Sequence, residues 1–200
     1  MFRKFYEMIE DVEGDVIEAG VHWGYGLLAH LGNIESVKNR RIYAFDSFEG
    51  HSRATEQDRS GRAFINLDNS FKISEDDVRT TLLNGTEYNL EEINTKIKFV
   101  KGWAQETMPV FKDSDKIAFV HSDMDIYEPV LSTLKSFWPR MVKGGVIAVG
   151  KLNNTELMGK TLAFNEFIAT LKKEEFEVRS ISVKEINTLK IVEMAYILKK

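Results

Sequence analysis

Two carboxylates that close short apolar runs, Glu18 in DVIEAG and Asp46 in IYAFDS, are the residues of this chain best placed to do chemistry. Asp15 to Ala19 reads as a buried strand emptying into the turn GVHWGYG, and Ile42 to Phe45 repeats the arrangement one helical crossover later. Two acidic ends on neighbouring parallel strands can hold a ribose and a cationic amino acid across a sheet edge. Glu18 suits the amino group, a contact that would keep it ionised. Asp46 can accept from both ribose hydroxyls, the alternative being an aspartate that caps its own turn. S-adenosylmethionine is the molecule that offers both partners.

Gly20, Gly24 and Gly26 let the turn bend sharply and approach a ligand closely. They do not spell the G-x-G-x-x-G of a pyrophosphate-binding turn, because His22 and Tyr25 stand at the third and sixth positions. Nicotinamide cofactors are therefore disfavoured. Downstream, HSDMDIYEP places Asp123 and Asp125 at the end of a further strand, and four histidines are available. His51 follows FDSFEG and His121 lies two residues before Asp123, whereas His22 sits in the glycine turn and His30 reads as a helix residue. Methyl transfer needs positioning and a group to take the acceptor proton. The candidates for that group are His51, His121, Asp123 and Lys151.

The elements that must hold these residues alternate between short apolar runs and helical periods, which favours a βα-repeating architecture. Further strands are expected at Ile97 to Val100, Ile117 to His121 and Val146 to Val149. Tyr127, Val130, Leu131, Leu134 and Trp138 recur at helical spacing, and this helix is expected to stop at Gly144-Gly145. A second helix reads from Phe164, Phe167, Ile168 and Leu171, with Lys172 and Lys173 in its last turn. Phe176 to Val183 and Val192 to Leu198 lack a helix between them and should pair antiparallel. The expected fold is α/β, a Rossmann-like doubly wound, mostly parallel seven-stranded sheet with a C-terminal antiparallel hairpin, the chain order of a class I methyltransferase.

A chain of 200 residues, 43% hydrophobic, suits one domain spanning 1–200. The polar stretch from about 51 to 95, with short helices near Glu75 to Leu83 and Leu90 to Lys96, is expected to be a substrate-facing lid whose first part, His51 to about Asn69, is mobile without ligand. A net charge of −4 without a basic, aromatic-bearing stripe argues against nucleic acid, and zero cysteines exclude disulfides and thiolate zinc sites. No apolar run has membrane-spanning length. The expectation is a cytoplasmic protein with no membrane partner, free to form a homo-oligomer.

EAGVHWGYG, YAFDSFEG, FVKGWAQETMP, SDMDIYEP and KGGVIAVG, in that order, resemble the macrocin O-methyltransferase family, whose members methylate sugar hydroxyls using S-adenosylmethionine. The resemblance runs from Gly14 to about Phe167. It implies that Glu18 and Gly20 meet the methionine end of the cofactor, Asp46 and Ser47 the ribose, and Gly102 and Trp103 the surroundings of the adenine, with Gly24 in the same turn. It also implies that an acid at Asp123 or Asp125 helps to hold Mg²⁺ together with an acidic pair after the fifth strand. Here this chain departs from the family, since Gly150 and Lys151 stand where that pair belongs. Asn153 and Asn154 bring oxygens but no charge, so no family-type metal site is expected. The implied activity is O-methylation of a hydroxyl on a small molecule or glycan. A cofactor-binding domain without transferase activity is the alternative.

Overall fold

The computed structural model describes residues 1–34, 40–58, 72–152, 158–184 and 191–200. Its centre is one seven-stranded sheet in the order β3-β2-β1-β4-β5-β7-β6. The strands are β1 (Asp15–Ala19), β2 (Ile42–Asp46), β3 (Ile97–Lys101), β4 (Ile117–Ser122), β5 (Met141–Val149), β6 (Phe176–Lys184) and β7 (Ile191–Lys199). The first five pair in parallel, and β7 runs antiparallel to both β5 and β6. Parallel strands covered on both faces read as continuous apolar runs, which is why β1, β2, β4 and the second half of β5 were legible.

Helices α1 (Phe2–Met8), α2 (Tyr25–Ile34), α3 (Glu75–Gly85) and α4 (Leu90–Lys96) cover one face, and α5 (Ala104–Thr107), α6 (Tyr127–Phe137) and α7 (Met158–Ala169) the other. Strand residues alternate between the layers. Val16, Ala44, Phe119 and Val146 pack with Phe5, Leu27, Leu82 and Ile93; Ile17, Phe45, Val120 and Ile147 pack with Met108, Leu134, Phe137 and Phe167. Each fully buried Leu or Phe here contributes about 1.5–3 kcal/mol.

Several expectations need correction. The helix begun at Tyr127 ends at Phe137, followed by a 3₁₀ turn over Trp138–Arg140, and Gly144-Gly145 lie inside β5. Pro139 in that turn has no N–H with which to continue the helix. Helix α7 ends at Ala169, so Lys172 and Lys173 lie beyond it and do not serve its dipole. Residues 75–96 carry the helices α3 and α4. They are the crossover between β2 and β3, with Val78, Leu82 and Ile93 fully buried, because parallel neighbours need a helical connection on the sheet face. Capping boxes at Ser74/Asp77 and Asn89/Glu92 start the two helices. Of the expected lid, 59–71 lies outside the described residues. Helix α1 had no sequence expectation.

Candidate active site

The ladder continues one step beyond the parallel strands. Gly20 N–H donates to Phe45 O, Asp123 N–H to Ala19 O, Gly150 N–H to Ser122 O and Gly102 N–H to Asp46 O, all at 2.9–3.1 Å. These bonds line up the carboxyl ends of β1 to β5 as one rigid edge. Above it lies a cavity of about 400 Å³, at the point where the chain order reverses between β1 and β4. Glu18, Gly20, Asp46, Ser47, His51, Trp103, Asp123 and Lys151 all line it, so the structure brings together most of the residues singled out from the sequence. Trp23 and Tyr25 stand at the same cavity and are exposed.

The glycine turn has two separate jobs. Gly20 has φ +89, and a Cβ there would press within 3.0 Å of the Asp123 carbonyl, so a bare backbone is required. Gly24, also at positive φ, faces Val78 of α3 and does not line the cavity. It packs the turn closely against α3. Gly102 likewise serves a turn against Thr107 and lies off the cavity, leaving Trp103 as the lining residue from this segment.

Asp46 already has partners. Its Oδ2 accepts from the N–H of Val21 at 2.7 Å and of His22 at 3.2 Å, and its Oδ1 from Phe48 N–H at 2.8 Å. The turn-capping role is therefore real. It leaves roughly one of the carboxylate's four lone-pair directions for a ligand. Ser47 is similarly engaged, its hydroxyl donating to Gly50 O and accepting from Glu49 N–H.

Glu18 is buried, and its Oε2 accepts from His30 Nε2 at 2.9 Å and His121 Nδ1 at 2.8 Å. Tyr6 OH sits 2.9 Å from His30 Nδ1, which fixes that ring with Nε2–H toward Glu18. Burial opposes ionisation of Glu18, but the two histidines outweigh it and hold the carboxyl below its usual range. Burial lowers His30 despite Glu18, whereas at His121 the charge and hydrogen bond of Glu18 overcome burial and raise the ring. His121 does not line the cavity. It sits beneath the cavity floor, a partner of Glu18.

The remaining corner is ionic. Lys151, at φ +54, places Nζ 3.8 Å from Asp123 Oδ1. Asp125 meets His51 Nε2 at 3.3 Å and Lys160 Nζ at 2.9 Å, and the Lys160 side chain is fully buried. Burial works to raise Asp125, yet the His51 hydrogen bond and the Lys160 charge outweigh it and hold the carboxyl well below the usual carboxylate range. A divalent cation does not fit this donor set. Each carboxylate already has an ammonium beside it, Lys160 closely paired with Asp125 and the half-exposed Lys151 near Asp123, where water screens the pair to about 0–1 kcal/mol. Asn153 and Asn154 lie outside the described residues.

Lys160 and Asp58 escaped the sequence reading. Lys160 shares the apolar stripe of α7 with Phe164 and Phe167, at offsets of four and seven, and a lysine on such a stripe is a legible signal of a buried charge. Asp58 is buried, accepts from Tyr127 N–H at 2.9 Å at the start of α6 and occupies the space a Cβ on Gly159 would fill. No spacing announces that contact.

Among known proteins, the family described as Macrocin-O-methyltransferase (TylF) matches residues 4–175. Demethyldecarbamoylnovobiocin O-methyltransferase of Streptomyces niveus is 28% identical over 144 residues, 70% of this chain and 53% of that protein. Mycinamicin III 3''-O-methyltransferase of Micromonospora griseorubida is 29% identical over 141 residues, 68% of this chain and 54% of that protein. The chain thus spans about half the length of the curated relatives it matches. The solved structure of the O-methyltransferase NovP superposes with a TM-score of 0.79 at 24% identity, covering 100% of this chain and 78% of that one. That likeness shows that the two chains share the arrangement of the sheet and its helices. No helix among the described residues is long and apolar enough to cross a membrane.

Proposed function

The chain belongs to the macrocin O-methyltransferase family, and on that premise we propose that it transfers a methyl group from S-adenosylmethionine to a hydroxyl of a sugar or other small molecule. One observation carries the reading. The cavity opens at the β1/β4 reversal with Glu18, Asp46 and Asp123 along a single sheet edge and a bare Gly20 backbone between them. This cradle suits an adenosyl amino acid.

The bound cofactor supplies a methyl group activated on a sulfonium, so the protein has to add position and a place for the acceptor's proton. Glu18 faces the cationic end and is kept ionised by its two histidines. Asp46 and Ser47 shape the ribose pocket, chiefly by holding the turn 20–24 against 46–50. Trp103, at the start of α5, offers a face to the adenine. Asp123 stands at the edge shared by cofactor and acceptor. His51, whose Nε2 meets the Asp125 carboxylate, and Asp123 are the cavity residues placed to take the acceptor's proton, with Lys151 as the cation beside them. We read residues 1–200 as one catalytic unit, with Gly50, His51 and Ser52 bordering the acceptor side.

Calorimetry with S-adenosylhomocysteine and with NAD⁺ tests the cofactor. Binding of the first alone is expected, and a folded protein that binds neither overturns the proposal. The second reading, a cofactor-binding domain without transfer, is favoured by Gly150 and Lys151 standing in place of the family acids. Mass-spectrometric detection of methylated product from a panel of glycosides decides between them.

A further inference from the structure

Two lysines converge on the corner where the family holds its cation, and they arrive from different elements. Lys160 comes from the first turn of α7, and its fully buried Nζ bonds to Asp125 Oδ1 at 2.9 Å and approaches Gly150 O at 3.4 Å. Lys151 comes from the turn after β5, with Nζ 3.8 Å from Asp123 Oδ1 and half of its side chain exposed at the cavity. The backbone of Lys151 lies at φ +54, a conformation that a side chain bearing a Cβ adopts only at a cost. A buried ammonium is retained only where it is paired.

We propose that the Lys151–Lys160 pair replaces the divalent cation: Lys160 as a fixed internal charge that holds Asp125 and the Gly150 carbonyl in place, and Lys151 as the accessible charge that meets the acceptor oxygen. Lys160 is a positioning residue, sealed from the cavity behind Asp125. Lys151 lies beside the Asp123 carboxylate, where a positive group can draw in an acceptor hydroxyl and stabilise negative charge developing on it. The balance of charge is complete without a metal, since two carboxylates meet two ammoniums. The inference rests on the methyltransferase reading for the identity of the acceptor, but the ionic exchange itself does not.

Electron paramagnetic resonance of Mn²⁺ titrated into the full chain tests it, alongside calorimetry with S-adenosylhomocysteine. Wild type should leave the free Mn²⁺ signal undiminished, and its affinity for S-adenosylhomocysteine should not change with EDTA or Mg²⁺. Lys160→Met and Lys151→Gly should each gain Mn²⁺ affinity by at least about tenfold, because each releases one carboxylate. Lys151 is half exposed and glycine relaxes its φ, so Lys151→Gly keeps the test alive even where Lys160→Met fails to fold. Tight Mn²⁺ binding by wild type overturns the proposal, as does unchanged Mn²⁺ affinity in a folded variant. Loss of S-adenosylhomocysteine binding in folded wild type would instead strike the methyltransferase reading and leave the Mn²⁺ comparison standing.

Discussion

Glu18 and His121 are register partners on β1 and β4, and their side chains meet 2.8 Å apart on the face of the sheet covered by α2. His30 reaches the same carboxylate oxygen from α2, and Phe2 of α1 stands edge-on to both rings at 4.8 Å. The carboxylate that borders the cavity is thus anchored by three elements. Glu18→Gln, which removes the charge and leaves His121 without its counter-ion, should cost about 3–5 kcal/mol of stability. Urea unfolding measures it, and a loss under about 1 kcal/mol would mean that the cluster is not an ionic unit.

The pH dependence of stability follows from His30. Burial holds its folded-state pKa below the ordinary 6.5, so the unfolded chain takes up a proton that the folded chain refuses. Stability should therefore fall as the pH drops below about 6.5. His121, raised above 6.5, has the opposite sign, and its contribution is lost as the pH rises through its folded value. His30→Gln should flatten the acid limb of a plot of urea midpoint against pH. An acid limb of unchanged slope would refute the assignment.

Asp46→Ala removes three backbone hydrogen bonds as well as a ligand contact. Losing a charge-assisted contact costs roughly 1.5–3 kcal/mol, so S-adenosylhomocysteine should bind at least about tenfold more weakly. Hydrogen exchange should also show the amides of Val21, His22 and Phe48 losing protection. Equal binding by wild type and variant would leave Asp46 as a turn cap alone.

Asp58→Ala should cost roughly 0.5–2 kcal/mol, the usual worth of a helix cap. The amides of Tyr127 and Thr55, both bonded to this carboxylate, should then exchange faster, and the stretch 51–58 should loosen with them. The sequence alone suggests a segment mobile without ligand from His51 to about Asn69. The contacts of His51 and Asp58 instead predict protection over 51–58 in the ligand-free protein. Fast exchange at Thr55 in wild type would restore the fully mobile lid.

Trp103→Ala should weaken S-adenosylhomocysteine binding by roughly 1–3 kcal/mol, the worth of stacking a base on an aromatic ring, with little effect on the unfolding midpoint because the ring is only partly buried. An unchanged dissociation constant would place the adenine elsewhere.

The strands β1, β2 and β4 were legible because burial on both faces writes an uninterrupted apolar run, and the glycines and acids that close them mark the edge that borders the cavity. Helix boundaries were less so. Gly144 and Gly145 looked like a helix stop because glycine weakens helices, yet the register shift between β4 and β5 accommodates them within a strand. The polar run up to residue 95 looked like a lid because, among its described residues, Ile73, Val78, Leu82 and Ile93 carry the buried apolar face, set among many charges.

By itself the sequence determined the order of strands and crossovers and the acids and glycines that close the strands, since these depend on the periodicity and identity of neighbouring residues. Only the tertiary structure decided the partners. Glu18 acquires His30 and His121, Asp125 acquires His51 and Lys160, and Asp58 finds Tyr127, in each case across 12 to 103 positions of chain. Such pairings depend on which side chains the folded sheet brings within about 3 Å, where a hydrogen bond or ion pair forms. One-dimensional spacing carries no record of that distance.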